Sequence, residues 1–273
     1  MALNIFTNVP SLNAQRHLAN STQSLTKSLE RLATGLRINA ASDDAAGLAI
    51  ADRLRADVRI ASQAIRNAND GVSAISLGEK ALGKVGEILT RLSELASQSA
   101  SGTVTDTQRS AISTEFVALV SEVDRISNTT TFNGVNLLSG GTTVDLQVGI
   151  DGTTNSRISF TTVDGSSSGV GLTNVAVSTA ASAQSALGAI GSAIATVAQR
   201  RGNLGAVESR LSTAIQNLRV ARENFAAAES RIRDADIAEE TASLTRNTIL
   251  QQAGVAILAQ ANQQPSLALQ LLR

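Results

Sequence analysis

The chain of 273 residues contains no cysteine, tryptophan or tyrosine and only two prolines. The absence of cysteine excludes disulfides, thiol catalysis and zinc sites built on thiolates. The prolines, Pro10 and Pro265, stand near the two ends, so the chain between them is free to form long helices. The five aromatic residues are all phenylalanine. Because large aromatic side chains are few, much of the apolar content comes from small side chains, which bury little area each. Extended helix-on-helix packing is therefore favoured over a thick globular core.

Three further features that the sequence lacks limit its partners. Lys plus Arg and Asp plus Glu number 23 each, so no net charge draws the chain to nucleic acid or an anionic membrane. No basic residue precedes Arg16, which argues against a cleavable secretory signal. No apolar run approaches the roughly 20 residues that span a bilayer. We therefore expect no nucleic-acid partner, no membrane insertion and, if the protein leaves the cell, a route that does not read such a signal.

The longest pattern in the chain is an apolar repeat over residues 42–99, whose members recur at alternating spacings of four and three. Such a stripe holds one face of an α-helix against a partner. At about 1.5 Å per residue the helix would be roughly 85 Å long, too long for a compact globular domain. The repeat consists of Leu54, Val58, Ala61, Ile65, Ala68, Val72, Ile75, Leu82, Val85, Leu89, Leu92 and Ala96.

Two shorter segments flank this repeat. Residues 11–35 form an amphipathic pattern that is marginal alone, so we expect this helix to become ordered only against a partner. After an interruption, Ser42 or Asp43 is placed to cap the long helix, with Asp44 at the positive end of its dipole. Beyond the long helix, Thr105 and Gln108 have the spacing of a capping box and predict the start of a third helix that folds back on the second.

The region from residue 140 to about 180 is rich in Thr, Ser, Gly and Val. Apolar and polar residues alternate over 144–148 and again over 158–160, which predicts a β-hairpin. The following segment, 164–174, is predicted to be an exposed loop. The Ser166 to Ser168 cluster is placed for surface modification, with a flexible loop as the default interpretation.

Helical character resumes near Thr179, and a stripe from Leu204 to Ile232 predicts an antiparallel partner for the long repeat. The last segment, 237–262, keeps a seven-residue step in which half of the positions are polar. A monomer gains little from such a seam, whereas a polymer could use it. The predicted fold is therefore mainly α, a long antiparallel α-helical or coiled-coil rod with a small β-hairpin insertion.

Nothing in the sequence makes a convincing catalytic, cofactor or metal site. Residues 78–84 have the glycine and lysine spacing of a phosphate loop, but Val85 stands where Ser or Thr would hold magnesium, and no strand precedes them. His17 has no ligand cluster beside it, so a polar helix face is the better interpretation. The adjacent Asp43 and Asp44 are explained by a helix start.

Three groups of motifs, in this order, resemble bacterial flagellin, and the resemblance covers nearly the whole chain. They are LATGLRIN at residues 32–39 followed by DDAAGLAI at 43–50; EVDRIS at 122–127 with FNGV at 132–135; and AAESRIRDAD at 227–236 with QQAG at 251–254 and AQANQ at 259–263.

The resemblance implies a two-domain subunit. Residues 1–42 and 233–273 would pair as terminal helices of an inner-tube domain. Residues 43–232 would form a helical-bundle shell domain that includes a short variable region at 140–180. Copies would self-assemble into the extracellular filament used for swimming, without catalysis or cofactors.

The resemblance also implies partners and contact residues. The partners are other flagellin copies, the flagellar type III export apparatus and an export chaperone, the filament cap and hook-filament junction proteins, and an animal innate receptor. The shell residues Arg91, Leu95 and Glu115 align with positions that contact neighbouring subunits or are read by that receptor. The residues predicted to mediate self-assembly are Leu25, Leu29, Leu32, Leu36, Ile237, Leu244, Val255 and Leu258.

Other functions stay open at this stage. A hook-filament junction protein resembles flagellin at both ends, but it would not polymerise into long filaments when seeded. A signalling coiled-coil hairpin like that of a chemoreceptor fits the long repeat but does not predict the β-rich insertion. An enzyme would rest on the incomplete phosphate-loop pattern alone.

Overall fold

A computed structural model describes residues 7–271 of the chain, with side chains described for residues 7–263. The chain divides into two compact units: unit 1 from residues 1–56 and 224–273, and unit 2 from residues 57–223. The fold is mainly α with small antiparallel hairpins, which confirms the predicted class. The elements are α1 (Val9–Thr34), α2 (Ala45–Ala100), α3 (Asp106–Thr129), β1 (Thr131–Phe132), β2 (Val135–Asn136), β3 (Thr143–Gln147), β4 (Arg157–Thr161), α4 (Ala180–Arg233) and α5 (Ile237–Leu271), with a short 3₁₀ turn at Thr154–Ser156.

The boundary between the units lies inside α2 and α4, after Ala56 and before Asn224. The helices themselves are interrupted elsewhere, near residues 35–44 and 234–236. The division at 42 and 233 that the resemblance implies follows these interruptions, and it stays a prediction.

The core of unit 2 is built on the apolar repeat of α2. Residues at alternating spacings of four and three are buried, which confirms the predicted stripe within this unit. The half-buried members of the repeat are Leu54, which belongs to unit 1, and Val58 and Val72 of unit 2. The buried members are Ala61, Ile65, Ala68, Ile75, Leu82, Val85, Leu89, Leu92 and Ala96.

Helices α2 and α4 run antiparallel in unit 2, as the sequence predicted. Gly78 of α2 faces Leu204 of α4, and Gly71 faces Leu211 about two helical turns further along. A Cβ atom on Gly71 would overlap the Leu146 side chain of β3, so glycine lets the hairpin lie close to the helix at this point.

Helix α3 begins with the predicted capping box. The Thr105 hydroxyl accepts the Gln108 amide at 3.4 Å, and the Gln108 side chain accepts the Thr105 amide at 3.0 Å. These bonds satisfy two of the amides left unpaired at a helix start. After α3, Asn133 and Gly134 both have positive φ, 48° and 79°, and form the two-residue turn between β1 and β2.

The predicted hairpin in the 140–180 region is confirmed by the antiparallel pair β3 and β4. Val144 lies opposite Phe160, and Leu146 lies opposite Ile158. Ile158 and Phe160 are buried in the core of unit 2 and alternate with exposed residues, as expected of a hairpin with one face on helices.

Helix α4 contains a long apolar segment. It contains an 18-residue window with a mean hydropathy of 1.2, so its length and composition are those of a possible membrane span. Core helices of water-exposed bundles meet the same criterion. In this structure α4 supplies buried residues to the unit 2 core, among them Ile190, Val197 and Leu211.

Candidate subunit interface

Helix α1 has well-defined ends within unit 1. At its start, the Asn8 side chain accepts a hydrogen bond from the Ser11 amide at 3.1 Å, and Pro10 occupies the first turn, where a missing amide costs nothing. At its end, Gly35 has φ 72° and its amide binds the Arg31 carbonyl at 2.8 Å. Glycine is favoured at this left-handed position.

The face of α1 that packs on α5 consists mostly of small or polar side chains at heptad spacing. Serine, alanine and glycine let the two helices approach closely, but they bury little apolar area. The seam is therefore a weak source of stability for an isolated subunit. Its α1 members are Ser11, Ala14, Leu18, Ser21, Leu25, Ser28 and Leu32, and its α5 members are Glu240, Leu244, Asn247, Gln251, Gly254, Leu258 and Ala261.

Polar contacts fix the antiparallel register of this pair. Asn8 Nδ2 donates to the Ala261 carbonyl at 2.8 Å, and the Ser11 hydroxyl donates to Asn262 Oδ1 at 2.8 Å. Near the middle, a Cβ atom on Gly254 would lie 3.4 Å from a methyl carbon of Leu18. The register therefore rests on hydrogen bonds near one end and close backbone approach in the middle.

At the other end of the seam, Arg31 and Glu240 form an ion pair at 3.5 Å. Arg31 lies in the last turn of α1 and Glu240 in the first turn of α5, so each charge also suits the dipole of its own helix. Neither side chain is more than about a quarter exposed, at 26% and 13%. The pair therefore favours the antiparallel orientation of α1 and α5, and it contributes a modest amount of stability.

The chain segments that interrupt the helices pair with each other. The Arg37 amide donates to the Arg233 carbonyl at 2.6 Å, and the Ala235 amide donates to the Gly35 carbonyl at 3.0 Å. The Arg37 guanidinium donates to the Ile232 carbonyl at 2.6 Å. These bonds enclose the isolated antiparallel bridge between Leu36 and Asp234. The two interruptions therefore lie side by side in unit 1 and are joined by these hydrogen bonds.

The residue that caps α2 differs from the prediction. The Asp44 carboxylate accepts the Gly47 amide at 2.8 Å, so Asp44 caps the helix rather than Ser42 or Asp43. Asp43 points back to the preceding segment, where its carboxylate accepts the Asn39 and Ala40 amides and pairs with Lys27 at 2.7 Å. The sequence prediction was wrong because adjacent aspartates compete for one cap, and Lys27 stabilises Asp43 elsewhere.

Asp43 gives unit 1 a pH dependence with a defined sign. The hydrogen bond from Lys27, followed by those from the Asn39 and Ala40 amides, lowers the pKa of Asp43 from 3.8 to about 2. Because the folded state has the lower pKa, the ionised carboxylate stabilises unit 1 above about pH 4, and this contribution is lost as pH falls from about 4 to about 2.

We expect the substitution Lys27→Gln to raise the pKa of Asp43 towards its ordinary value, because the largest cause of the lowering is removed. NMR titration of the Asp43 carboxyl carbon measures the change directly. Lys27→Arg keeps a cationic donor and should leave the midpoint near that of the unsubstituted protein. An unchanged midpoint in Lys27→Gln would contradict the role given to Lys27.

Away from the seam, α5 exposes large apolar side chains. Ile249 and Ile257 are each 59% exposed, and Leu250 and Val255 are close behind. The helix carries no charged residue from Asn247 to Gln263, on any face. The outer face of α1 is mixed: it carries Arg16 and Lys27 and also exposes Leu12 and Leu29, at 57% and 51%. A helix that is uncharged all round is typical of one buried in a larger assembly.

The eight residues predicted to mediate assembly fall into two groups. Leu25, Leu32, Leu36, Leu244 and Leu258 are half-buried within unit 1. Leu29, Ile237 and Val255 are exposed and lie off the seam. Their roles between subunits stay predictions, but only the second group has most of its side chain free for another copy.

Arg91 and Glu115 lie together on the surface of unit 2. The Arg91 guanidinium donates to Glu115 at 2.8 Å and to Glu94 at 2.9 Å. The hydrogen bond to Glu115, and then that to Glu94, raises the pKa of Arg91 above its ordinary value. Leu95, grouped with them from the resemblance, is 2% exposed and belongs to the core. Its side chain therefore has no surface to offer a neighbour or receptor.

The features that resembled chemistry are accounted for by structure. Residues 78–84 lie inside α2, where backbone amides are used by the helix and cannot cradle phosphate. His17 is exposed on α1. In the part of the chain that the structure describes, no three His, Asp or Glu side chains form a group that could hold a metal ion.

Sequence reasoning missed the small residues of the seam. Ser11, Ala14, Ser21 and Ser28 share a heptad with Leu18 and Leu25, so a signal was present, but a search for large apolar residues passes over it. The bonds of Arg37 to residues 232 and 233 join positions far apart in the chain and leave no local pattern.

Two protein-family models match this chain. The family model for the bacterial flagellin N-terminal helical region matches residues 5–143, and that for the C-terminal helical region matches residues 187–272. Flagellin of Halalkalibacterium halodurans is 45% identical over 97% of this chain and 98% of its own length. Flagellin of Bacillus subtilis is 38% identical over the same shares.

A third relative and a solved structure agree. The flagellar filament 33 kDa core protein of Treponema phagedenis is 37% identical over 97% of this chain and 98% of its own length. The crystal structure of Bacillus cereus flagellin superposes with a TM-score of 0.51 at 25% identity and covers 56% of this chain and 88% of that chain. The chain therefore belongs to the bacterial flagellin family, the structural subunits of the extracellular flagellar filament.

Proposed function

We propose that the uncharged outer surface of α5 is the face on which neighbouring copies pack in the filament, and that the subunit acts by assembly without catalysis. The observation that carries this proposal is the exposure of Ile249, Leu250, Val255 and Ile257 on a helix segment without charge. Covering such side chains is the main favourable term in protein association.

The glutamines on the same surface favour an interface between copies that combines apolar packing with hydrogen bonds over a purely apolar one. Gln252 and Gln260 are exposed between the apolar residues. Each amide can both donate and accept, so neighbouring copies could satisfy these groups with one another without buried charge. The outer face of α1 also exposes Leu12 and Leu29, but charged side chains such as Arg16 interrupt it, and we assign it a smaller share of the contact.

The weak seam supports a second part of the proposal. Because more than half of the residues in the contact between α1 and α5 are small or polar, we propose that this hairpin gains most of its order when copies assemble. Limited proteolysis of residues 9–34 in monomer and filament tests this part. Equal resistance in both states would contradict it.

The remaining partners are proposed from family membership. They are the type III export apparatus with an export chaperone, the filament cap, the hook-filament junction proteins and an animal innate receptor. Arg91 and Glu115 are proposed as shell contacts because both are about half exposed, at 50% and 47% of their side chains. The relatives are named as flagellins and filament core proteins, and this does not favour the alternative of a junction protein.

The packing of α5 can be tested with one labelled side chain, since the natural chain contains no cysteine. We expect an environment-sensitive fluorophore on Ile249→Cys to shift to the blue when monomer is seeded with sheared filament, because the site loses water. The control is Asn20→Cys on the outer face of α1, where a smaller shift is expected. Equal shifts at both sites, or none at residue 249 in filaments that electron microscopy shows to be long, would overturn the assignment of the face.

A further inference from the structure

The segment 164–172, here called the strap, links β4 towards α4 and was predicted to be an exposed, flexible loop. In the structure its backbone is paired and its apolar ends are buried. The Gly165 amide donates to the Leu138 carbonyl at 2.9 Å, and Asp164 forms an antiparallel bridge with Ser139. Val170 and Leu172 are buried in the core of unit 2. The segment is a loop, as predicted, but it is only partly exposed, because partners distant in sequence hold it.

One of these partners is Arg200 of α4. Its guanidinium donates through Nη1 to the Asp164 carbonyl and through Nη2 to the Gly169 carbonyl, the latter at 2.9 Å. One planar, permanently charged group therefore holds the strap at two points. Between those points the Asp164 carboxylate accepts the Ser166 amide and hydroxyl at 3.1 and 2.6 Å. A Cβ atom on Gly169 would overlap that carboxylate, so the curl requires glycine there.

The second partner is Asp124 of α3. Its two carboxylate oxygens accept the amide and the hydroxyl of Ser167 at 2.8 and 2.9 Å. Asp124 lies in the EVDRIS motif, and another member of that motif, Ser127, donates from its hydroxyl to the Leu138 carbonyl at 2.7 Å. The same Leu138 carbonyl also accepts a hydrogen bond from the amide of Gly165 in the strap. This motif thus forms the base on which the strap is seated.

The strap also lies close to α2. A Cβ atom on Gly165 would lie 3.4 Å from a methyl carbon of Leu82, which belongs to the apolar stripe of α2. The strap therefore shares the core of unit 2 with α2 through Val170 and Leu172, and it binds α3 through Ser167 and α4 through Arg200. Apart from those two buried side chains its attachments are hydrogen bonds, and they are few compared with the apolar contacts that hold the helices.

We propose that the strap is a clasp that closes unit 2 over its core, with Arg200 and Asp124 as its two catches. Opening the clasp is a local event that leaves the helices folded, because their apolar stripes do not depend on it. The two catches come from helices separated by the whole β region of the chain. Closing the clasp therefore joins the N-terminal and C-terminal halves of the unit after each has formed its helices.

Native-state hydrogen exchange of the unsubstituted protein gives the first test. The amides of Gly165 and Ser167 are hydrogen-bonded to groups outside the strap, to the Leu138 carbonyl at 2.9 Å and to the Asp124 carboxylate at 2.8 Å, so each reports on strap opening. We expect them to exchange through an opening that depends less on denaturant than the exchange of α2 amides does. Identical denaturant dependence for strap and helix would mean that the strap opens only by global unfolding, and would overturn the proposal.

Substitution of the catch gives the second test, with a neighbouring arginine as its control. Arg200→Gln should speed exchange of these two strap amides by about tenfold or more, as loss of charge-assisted hydrogen bonds implies, and should expose the strap to proteolytic cleavage. Arg201→Gln removes an exposed ion pair with Glu79 and should leave strap exchange unchanged. Equal acceleration in both variants, or acceleration of α2 amides equal to that of the strap, would refute the clasp.

Chemical rescue identifies the group that matters. In Arg200→Ala, free guanidinium far below denaturing concentration should restore protection of the strap amides by occupying the site between the two carbonyls. Urea at the same concentration, which lacks the charge, should not. Failure of guanidinium to slow exchange while the helices stay protected would show that Arg200 holds the strap through packing of its stem and not through these bonds.

Discussion

Seeded growth of Ile257→Asp is expected to fail at monomer concentrations where the unsubstituted subunit forms long filaments. Ile257 is 59% exposed on the uncharged segment of α5, which we propose is covered by neighbouring copies. Losing the burial of an isoleucine removes about 1.5 to 3 kcal/mol per subunit. Burying an unpaired carboxylate adds a further cost. Since each 1.4 kcal/mol is a factor of ten, the critical concentration should rise roughly 100-fold or more.

Two variants control this experiment. Ile257→Leu keeps volume and apolarity and should polymerise with nearly the original critical concentration. Val117→Asp places the same charge at a position with the same 59% exposure, but on α3 in unit 2. It should assemble far better than Ile257→Asp. If electron microscopy shows equal loss of growth in the two aspartate variants, then a general effect of added charge explains the result and the role of α5 is refuted.

The long helices could be predicted from the sequence because large aliphatic residues mark their buried faces. In α2 the stripe through Leu82, Val85 and Leu89 follows the heptad, and every one of these side chains is buried. The start of α3 could be predicted equally well, because the Thr105 capping box depends on a few adjacent residues. Where local chemistry decides the structure, the sequence is sufficient.

The seam of unit 1 could be predicted only in part, because its signal is carried by small residues. In α5 the pattern of large residues selects Leu244 and Leu258, which lie on the seam, but also Ile237 and Val255, which are exposed. The face that meets α1 is also marked by Gly254 and Ala261, which contribute close approach and little apolar area. A helix with apolar residues on several faces has no unique inner side until its partners are known.

Leu95 shows how a resemblance can misplace a residue that spacing would have placed correctly. It stands three residues after Leu92 and is buried like it, at 2% exposed. The 3.6-residue period predicts this position on the inner face. The roles carried over for Arg91 and Glu115 are compatible with their exposure, whereas the role carried over for Leu95 requires a surface that its side chain does not have.

The strap was hidden from sequence reasoning for a different reason. Its Ser and Gly content is typical of loops, because such residues make their own local hydrogen bonds. The groups that order it, Arg200 and Asp124, belong to helices and carry charges that would ordinarily point to solvent. Only the fold brings them to the strap.

Replacing Phe116 with alanine is expected to destabilise unit 2 by about 3 to 5 kcal/mol, the usual cost of deleting a buried phenylalanine. Phe116 is 1% exposed and is the largest fully buried side chain described in this core, where aromatic side chains are few. A tightly packed core relaxes only in part around a deleted ring, so much of the cavity should persist. For a unit of this size the midpoint of thermal unfolding should fall by roughly 10 °C or more.

The adjacent residue provides the control. Val117→Ala removes a side chain that is 59% exposed on the same turn of α3 and should change stability by less than about 0.5 kcal/mol. Because two units need not unfold together, the loss should be followed by exchange of the α2 amides in unit 2, not by a single global signal. Equal stability of the two variants would mean that the core of unit 2 is not organised around Phe116. A loss confined to Phe116→Ala would show that a fold rich in small residues depends heavily on its rare large ones.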